Sequence, residues 1–247
     1  MWFPRWALRL YADLYAGYRG EVFTFSDALS LSKSAPMAKV GVSLLRRGGA
    51  LYVHRREGYK RLYRLCDPET LTLLIGGRLA SLGRFKQGRY TRLIGLLASE
   101  LSFEVEGLRS LVVYGSVARG NARLNSDLDL LVVAAFKESF GKRLEHLVKV
   151  EWSWKVSTEL NWLNSHDVET HVSFLPLTPE EFERHPPILL DVVDEGVTIY
   201  DDGFFQWRGE ELRSHLRVIG ARRVFLTPEE WYWDLKPGLI FGEVLEL

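Results

Sequence analysis

The strongest constraint in this chain is a pair of short apolar runs, Leu111-Val112-Val113-Tyr114 and Leu130-Leu131-Val132-Val133. Between them lie Gly115-Ser116, a polar stretch and Asp127-Leu128-Asp129. Short β-branched runs bounded by Gly, Ser and Asn predict strand, turn, strand. Residues two apart in a strand share a face, so Asp127 and Asp129 are expected on one side, about 6–7 Å apart along the strand. Two like charges that close repel unless a cation sits between them. The spacing therefore predicts a cation-dependent site at the start of the second strand.

The 247 residues suffice for one large domain or two small ones, and 47% hydrophobic content is ample for a core. No run approaches the ~18 apolar residues of a membrane span. Met1-Trp2-Phe3-Pro4-Arg5 lacks a signal-peptide layout, so no membrane association is expected. The one cysteine, Cys66, excludes an internal disulfide and a cysteine-based zinc site, and predicts a cytoplasmic protein. Few amides (Gln87, Gln206, Asn121, Asn125, Asn161, Asn164) point to a thermophilic source.

The zero net charge is unevenly spread. Residues 1–66 hold 12 Lys+Arg and 4 Asp+Glu, a balance of +8, and the remainder carries −8. Such asymmetry predicts a polyanion partner for the N-terminal part. Helical stripes are expected over 5–17, 26–31 and from Pro36 to Gly48-Gly49. The third would bury Met37, Val40, Leu44 and Leu45. A hairpin follows, 51–54 and 61–65 around Glu57-Gly58. Three helices and a basic hairpin resemble a winged helix-turn-helix, which implies duplex DNA contact by the third helix and the wing. The candidates are Lys39, Arg46, Arg47, Arg55, Arg56, Lys60 and Arg61; a solvated basic surface is the plainer alternative. A linker helix is expected from Pro68 to Leu82, with a domain boundary near residue 83 and a further helix over 90–101.

The pattern Gly115-Ser116, ten residues, Asp127, one residue, Asp129 resembles the signature of the DNA polymerase β-like nucleotidyltransferase superfamily. It is most similar to the minimal nucleotidyltransferases, in an archaeal type with an N-terminal winged helix. The resemblance implies an α+β fold: a nucleotidyltransferase fold, with a mixed sheet flanked by helices, over 83–247 with a C-terminal extension, after a winged-helix domain and linker helix over 1–82. It implies Asp127 and Asp129 as catalytic residues holding Mg²⁺ or Mn²⁺ with the phosphates of an NTP, ATP being the expected nucleotide. Gly115, Ser116 and Arg119 would be nucleotide-binding; Arg119 could equally be structural, paired with an acid in the loop.

Relatives supply a third carboxylate from a neighbouring strand. Here that strand is expected over 168–175. Glu169, His171 and Ser173 would share a face, with Glu169 the candidate third metal and catalytic ligand, His171 its rival, and loss of the position the remaining alternative. Between the strands, residues 137–163 read as helical, with at least two of Trp152, Trp154 and Trp162 expected in the core. Thr178 is expected to cap a helix at Pro179, with helices over 188–193 and 204–220 and a strand over 197–200. Trp231 and Trp233 would cap the sheet or close the site edge.

The expected function is Mg-dependent transfer of a nucleoside monophosphate from an NTP to a hydroxyl of a protein, nucleic acid or small molecule. The alternative is a DNA-binding regulator or antitoxin, with a HEPN-type partner protein, whose nucleotidyltransferase domain binds nucleotide with little turnover.

Overall fold

In a computed structural model the chain is described over residues 3–80, 82–227 and 230–238. Its centre is a four-stranded sheet of β3 (Leu108–Tyr114), β4 (Leu128–Ala134), β5 (Val172–Leu177) and β6 (Val197–Asp201), in the order β5-β4-β3-β6. β3 runs antiparallel to β4 and β6, and β4 runs parallel to β5, so the sheet is mixed. The near-continuous apolar runs are explained by cover on both faces. Leu111, Val113, Leu128, Leu130 and Val132 pack toward α5 (Thr91–Glu104), α7 (Phe140–Glu151) and α8 (Trp154–Asn164). Val112, Leu131 and Val133 face α9 (Pro179–Phe182), α10 (Ile188–Glu195) and α11 (Phe204–Ile219). α9 starts with the expected capping box, Thr178 and Glu181 bonding each other's backbone N–H at 3.2 and 2.9 Å.

The N-terminal part holds α1 (Arg5–Tyr18), α2 (Phe25–Ser30), α3 (Ala35–Arg47) and a hairpin of β1 (Leu51–Glu57) and β2 (Lys60–Leu65), with a single bridge from Phe23 to Tyr63. α3 has Ser34 as its cap and Pro36 in its first turn. Its buried face is Ala38, Gly41, Val42 and Leu45, whereas Met37 and Val40 are 36% and 49% exposed. The expected face was therefore rotated. Helical spacing fits either row, and the small residues win because they admit Leu10 of α1. The linker helix α4 (Pro68–Ile75) stops short of Leu82 at Gly76-Gly77. One apolar cluster runs from Phe3 through Leu82 and Leu93 to Tyr200, so the packing has no seam at residue 83.

A buried ion pair also ties the two parts together. Arg64, fully buried, donates both guanidinium nitrogens to Glu159 of α8 at 2.7 and 2.8 Å and its Nε to the Gly20 carbonyl. Arg92 adds a second cation to Glu159 at 3.1 Å, and Trp162 lies 3.4 Å beneath the Arg64 guanidinium. Trp162 is thus the packed tryptophan of its segment. Trp152 and Trp154 are 73% and 78% exposed, against the expectation that at least two would be core.

Candidate active site

Tyr114, the last residue of β3, pairs with Asp129 on β4. The chain then enters a one-turn helix, α6 (Gly115–Arg119), instead of the expected turn. Gly115 has φ +69°, and a Cβ there would collide with Oδ2 of Asp129. Both the left-handed backbone and the close approach demand glycine. The neighbouring carboxylate is thus reason enough for glycine at this position.

Asp127 is exposed just before β4, and Asp129 is half-buried on it. Burial pushes the Asp129 carboxyl up to about 6; the negative charge of Asp127 adds to this and Arg119 opposes it. Burial, and secondarily Asp129, raise the Tyr114 hydroxyl to about 12. These are marks of a locally electronegative pocket. Two hard carboxylate oxygen donors, whose mutual repulsion Arg119 offsets only in part, fit a divalent cation.

Arg119 forms an ion pair with Glu195 at the end of α10 and lies 4.8 Å from the Trp231 ring centroid. Its Nε is buried without a hydrogen-bond partner. Glu195 also accepts from Arg223 at 3.0 Å, and Arg223 binds Asp191 at 2.7 Å. The indoles of Trp231 and Trp233 donate to Asp191 at 3.2 and 3.0 Å. The hairpin of β7 (Arg222–Phe225) and β8 (Trp231–Asp234) is thereby fastened to α10 beside the motif. Sequence reasoning missed Glu195 and Arg223, because no local pattern links them to Arg119.

β5 starts at Val172, not Val168, and pairs Asp129 with Ser173. Glu169 lies before the strand and is exposed, so the shared-face argument that grouped it with His171 and Ser173 fails. Thr170 is instead turned inward, its hydroxyl donating to the Ser126 carbonyl at 2.8 Å, and the His171 carbonyl accepts from the Leu128 N–H at 2.8 Å. Ser173 is the residue abreast of Asp129. Among the described residues no group of three His, Cys, Asp or Glu side chains gathers as a cation site.

Residues 86–90 grip the loop between Arg119 and Asp127. Lys86 donates to the Arg119 carbonyl at 3.2 Å, and Gln87 exchanges two hydrogen bonds with Ala122 at 2.9 and 3.0 Å. Arg89 donates to the Ala122 carbonyl at 2.6 Å and Tyr90 to that of Arg123 at 2.9 Å. All seven basic candidates of the N-terminal part are exposed. Lys39, Arg46, Arg47 and Arg61 line one open groove of about 630 Å³, while Arg55 is paired with Glu57 at 2.5 Å.

Residues 94–197 match the family described as nucleotidyltransferase domain. This segment is a nucleotidyltransferase domain. The match spans β3, α6, β4 and β5, and so contains Gly115, Ser116, Asp127 and Asp129. The mixed sheet between two helical layers is the nucleotidyltransferase fold, in an α+β chain. No curated protein matches the chain. Among solved structures it is similar to a toxin–antitoxin complex with AMP-PNP, at 19% identity, covering 50% of this chain and 88% of that one, with a TM-score of 0.32. It is also similar to a Shewanella oneidensis protein at 16% identity, covering 51% and 87%, with a TM-score of 0.32. A tri-AMPylated Shewanella oneidensis HEPN toxin in complex with MNT antitoxin matches at 18% identity, covering 53% and 89%, with a TM-score of 0.29. No helix among the described residues is long and apolar enough to cross a membrane.

Proposed function

We propose that the chain transfers a nucleoside monophosphate from an NTP, ATP in the first instance, to an acceptor hydroxyl. The observation that carries this reading is the half-buried Asp129 beside Asp127, pressed against Gly115 at the start of α6. In the reaction the acceptor hydroxyl gives up its proton to solvent, its oxygen bonds to the α-phosphorus, the bond from that phosphorus to the bridging oxygen breaks, and pyrophosphate leaves. Asp127 and Asp129 would hold Mg²⁺, or Mn²⁺, which when bound neutralises triphosphate charge. The chain's own residues do the positioning. Gly115 leaves room for backbone and carboxylate to meet, and Ser116 offers a hydroxyl and an N–H to phosphate oxygens. Arg119, held by Glu195 and with its Nε–H unpartnered, would supply positive charge beside the motif. Ser173, the register partner of Asp129, is our candidate for the third position, ahead of the exposed Glu169. The test is incubation with each α-labelled NTP and Mg²⁺ in lysate. A labelled acceptor with one nucleotide supports the reading, and no labelled species with any nucleotide refutes it.

A second reading is favoured by the groove that joins Lys39, Arg46 and Arg47 of α3 to Arg61 of β2. There the first 66 residues serve as a winged helix-turn-helix on duplex DNA, with the transferase domain acting on, or bound to, a HEPN-type partner in an autoregulated pair. Affinity for duplex DNA should then fall by about 0.9 log unit per log unit of salt for each phosphate neutralised. Affinity that ignores salt rejects it.

A further inference from the structure

Arg119 stands between two sets of acids. It follows Gly115 by one turn of α6, and residues four apart on a helix are neighbours. Gly115 is the residue that touches the Asp129 carboxylate. The charge of Arg119 is felt at that carboxylate, where it opposes the rise in proton affinity. Yet its ion pair is made elsewhere, with Glu195, 76 residues along the chain. An arginine released from Glu195 would meet Asp127 and Asp129, whose mutual repulsion it would relieve. It would then occupy the oxygens that a divalent cation needs. Glu195 is fixed from several directions. It ends α10, and a Cβ on the following Gly196 would collide with the Val192 carbonyl and the Val112 side chain of β3. The Glu195 side chain is 10% exposed and also accepts from Arg223 at 3.0 Å. Arg223 is held in turn by Asp191 at 2.7 Å and Asp194 at 3.2 Å. The Trp231 ring, whose indole donates to Asp191, lies 4.8 Å from the Arg119 guanidinium and 5.0 Å from that of Arg223.

We propose that Glu195 is a positioning residue: it holds the Arg119 guanidinium off Asp127 and Asp129, so that their oxygens stay free for a divalent cation, and Arg223 fixes Glu195 in that task. The inference rests on the reading of the aspartate pair as the cation site of nucleotidyl transfer. Anchoring α10 does not require this carboxylate, because Leu189, Leu190, Val192 and Val193 already pack the helix on the sheet. Placing a little-exposed acid between two guanidiniums carries a desolvation cost, and the holding role accounts for it. Sharing Glu195 with Arg223 also means that Glu195 keeps a partner when Arg119 turns to the phosphates of a bound nucleotide.

The experiment is titration of the full chain with Mn²⁺ alone, without nucleotide, followed by the electron paramagnetic resonance of the free ion. Glu195→Gln should weaken Mn²⁺ binding by about tenfold, the order found when a group that orients a metal site is lost. In an Arg119→Gln background the same change should alter binding by no more than about twofold, because no guanidinium is left to stray. Arg119→Gln alone should bind Mn²⁺ at least as tightly as the wild type. A merely structural role for Glu195, or a plain loss of nearby negative charge, would weaken binding equally in both backgrounds, and that result overturns the proposal. So does unchanged binding in Glu195→Gln. Glu195→Asp keeps the charge but shortens the side chain. It should weaken binding less than Glu195→Gln does, again only where Arg119 is present, and it carries the same cycle if Glu195→Gln fails to fold. Failure of the underlying reading looks different. Wild-type protein that binds no Mn²⁺, or binding that survives in an Asp127→Asn, Asp129→Asn double variant, overturns the cation site itself and the inference with it.

Discussion

Gly115 and Asp129 occupy space that no larger residue at position 115 could share: a Cβ on the glycine would collide with the aspartate's Oδ2. Gly115→Ala must therefore push the carboxylate away or distort the start of α6. The positive φ alone costs about 1 kcal/mol or more in a non-glycine residue. We predict a modest fall in melting temperature with nucleotidyl transfer lowered by roughly 100-fold, since small misplacements of reacting groups are that costly. A Gly115→Ala protein with wild-type turnover would show that the contact does not matter to the site.

The position abreast of Asp129 is Ser173, and Glu169 lies exposed ahead of the strand. Glu169→Gln is thus expected to keep turnover within about threefold of wild type, the ordinary range for a surface change away from the chemistry. Ser173→Asp is expected to lower the Mg²⁺ concentration needed for half-maximal activity, by adding a third oxygen donor beside the pair. Magnesium titrations of the two variants check both statements. A large loss of turnover in Glu169→Gln would return that residue to the site.

The motif was legible in the sequence because its chemistry is local. The period-two spacing of Asp127 and Asp129, the flanking apolar runs and the capping residues Thr178 and Glu181 all act within a few positions. Three features were not legible, for physical reasons. The start of β5 depends on Thr170 finding the Ser126 carbonyl, a contact across 44 residues. The buried face of α3 depends on how closely α1 can approach Gly41. Arg64 is one of the charges behind the +8 balance of residues 1–66, yet it is buried on Glu159, 95 residues away. Long-range pairing decides such cases, and a charge pattern along the chain does not encode it.

The Arg64–Glu159 pair predicts a stability signature. Removing one member of a buried, doubly hydrogen-bonded pair strands the other charge and costs about 3–5 kcal/mol. Glu159→Leu should lose that much in urea unfolding, and the Arg64→Leu, Glu159→Leu double variant should recover a large part of it. If the single variant costs no more than an exposed ion pair, about 1 kcal/mol or less, the two parts of the chain are not held this way.

His54 sets a pH dependence. Its proton affinity is lowered from 6.5 to about 3 in the folded state, by burial first. The unfolded chain therefore binds the proton more readily between those values, and stability falls as pH drops from about 6.5 toward 3. At about 1.4 kcal/mol per pKa unit, the loss across that window is on the order of 5 kcal/mol. His54→Gln should remove that share of the slope when unfolding is followed across this window. An unchanged slope would locate the acid sensitivity elsewhere.

We infer that the nucleotidyl group, with its α-phosphorus, is transferred at the aspartate pair. The direct test is incubation of the purified chain with a lysate, Mg²⁺ and ATP labelled at either the α- or the γ-phosphorus. We predict a covalently labelled acceptor with α-label only, reduced by about 100-fold or more in Asp127→Asn and in Asp129→Asn. Label carried from the γ-position, or α-label transferred equally well by the Asp129→Asn protein, would contradict it.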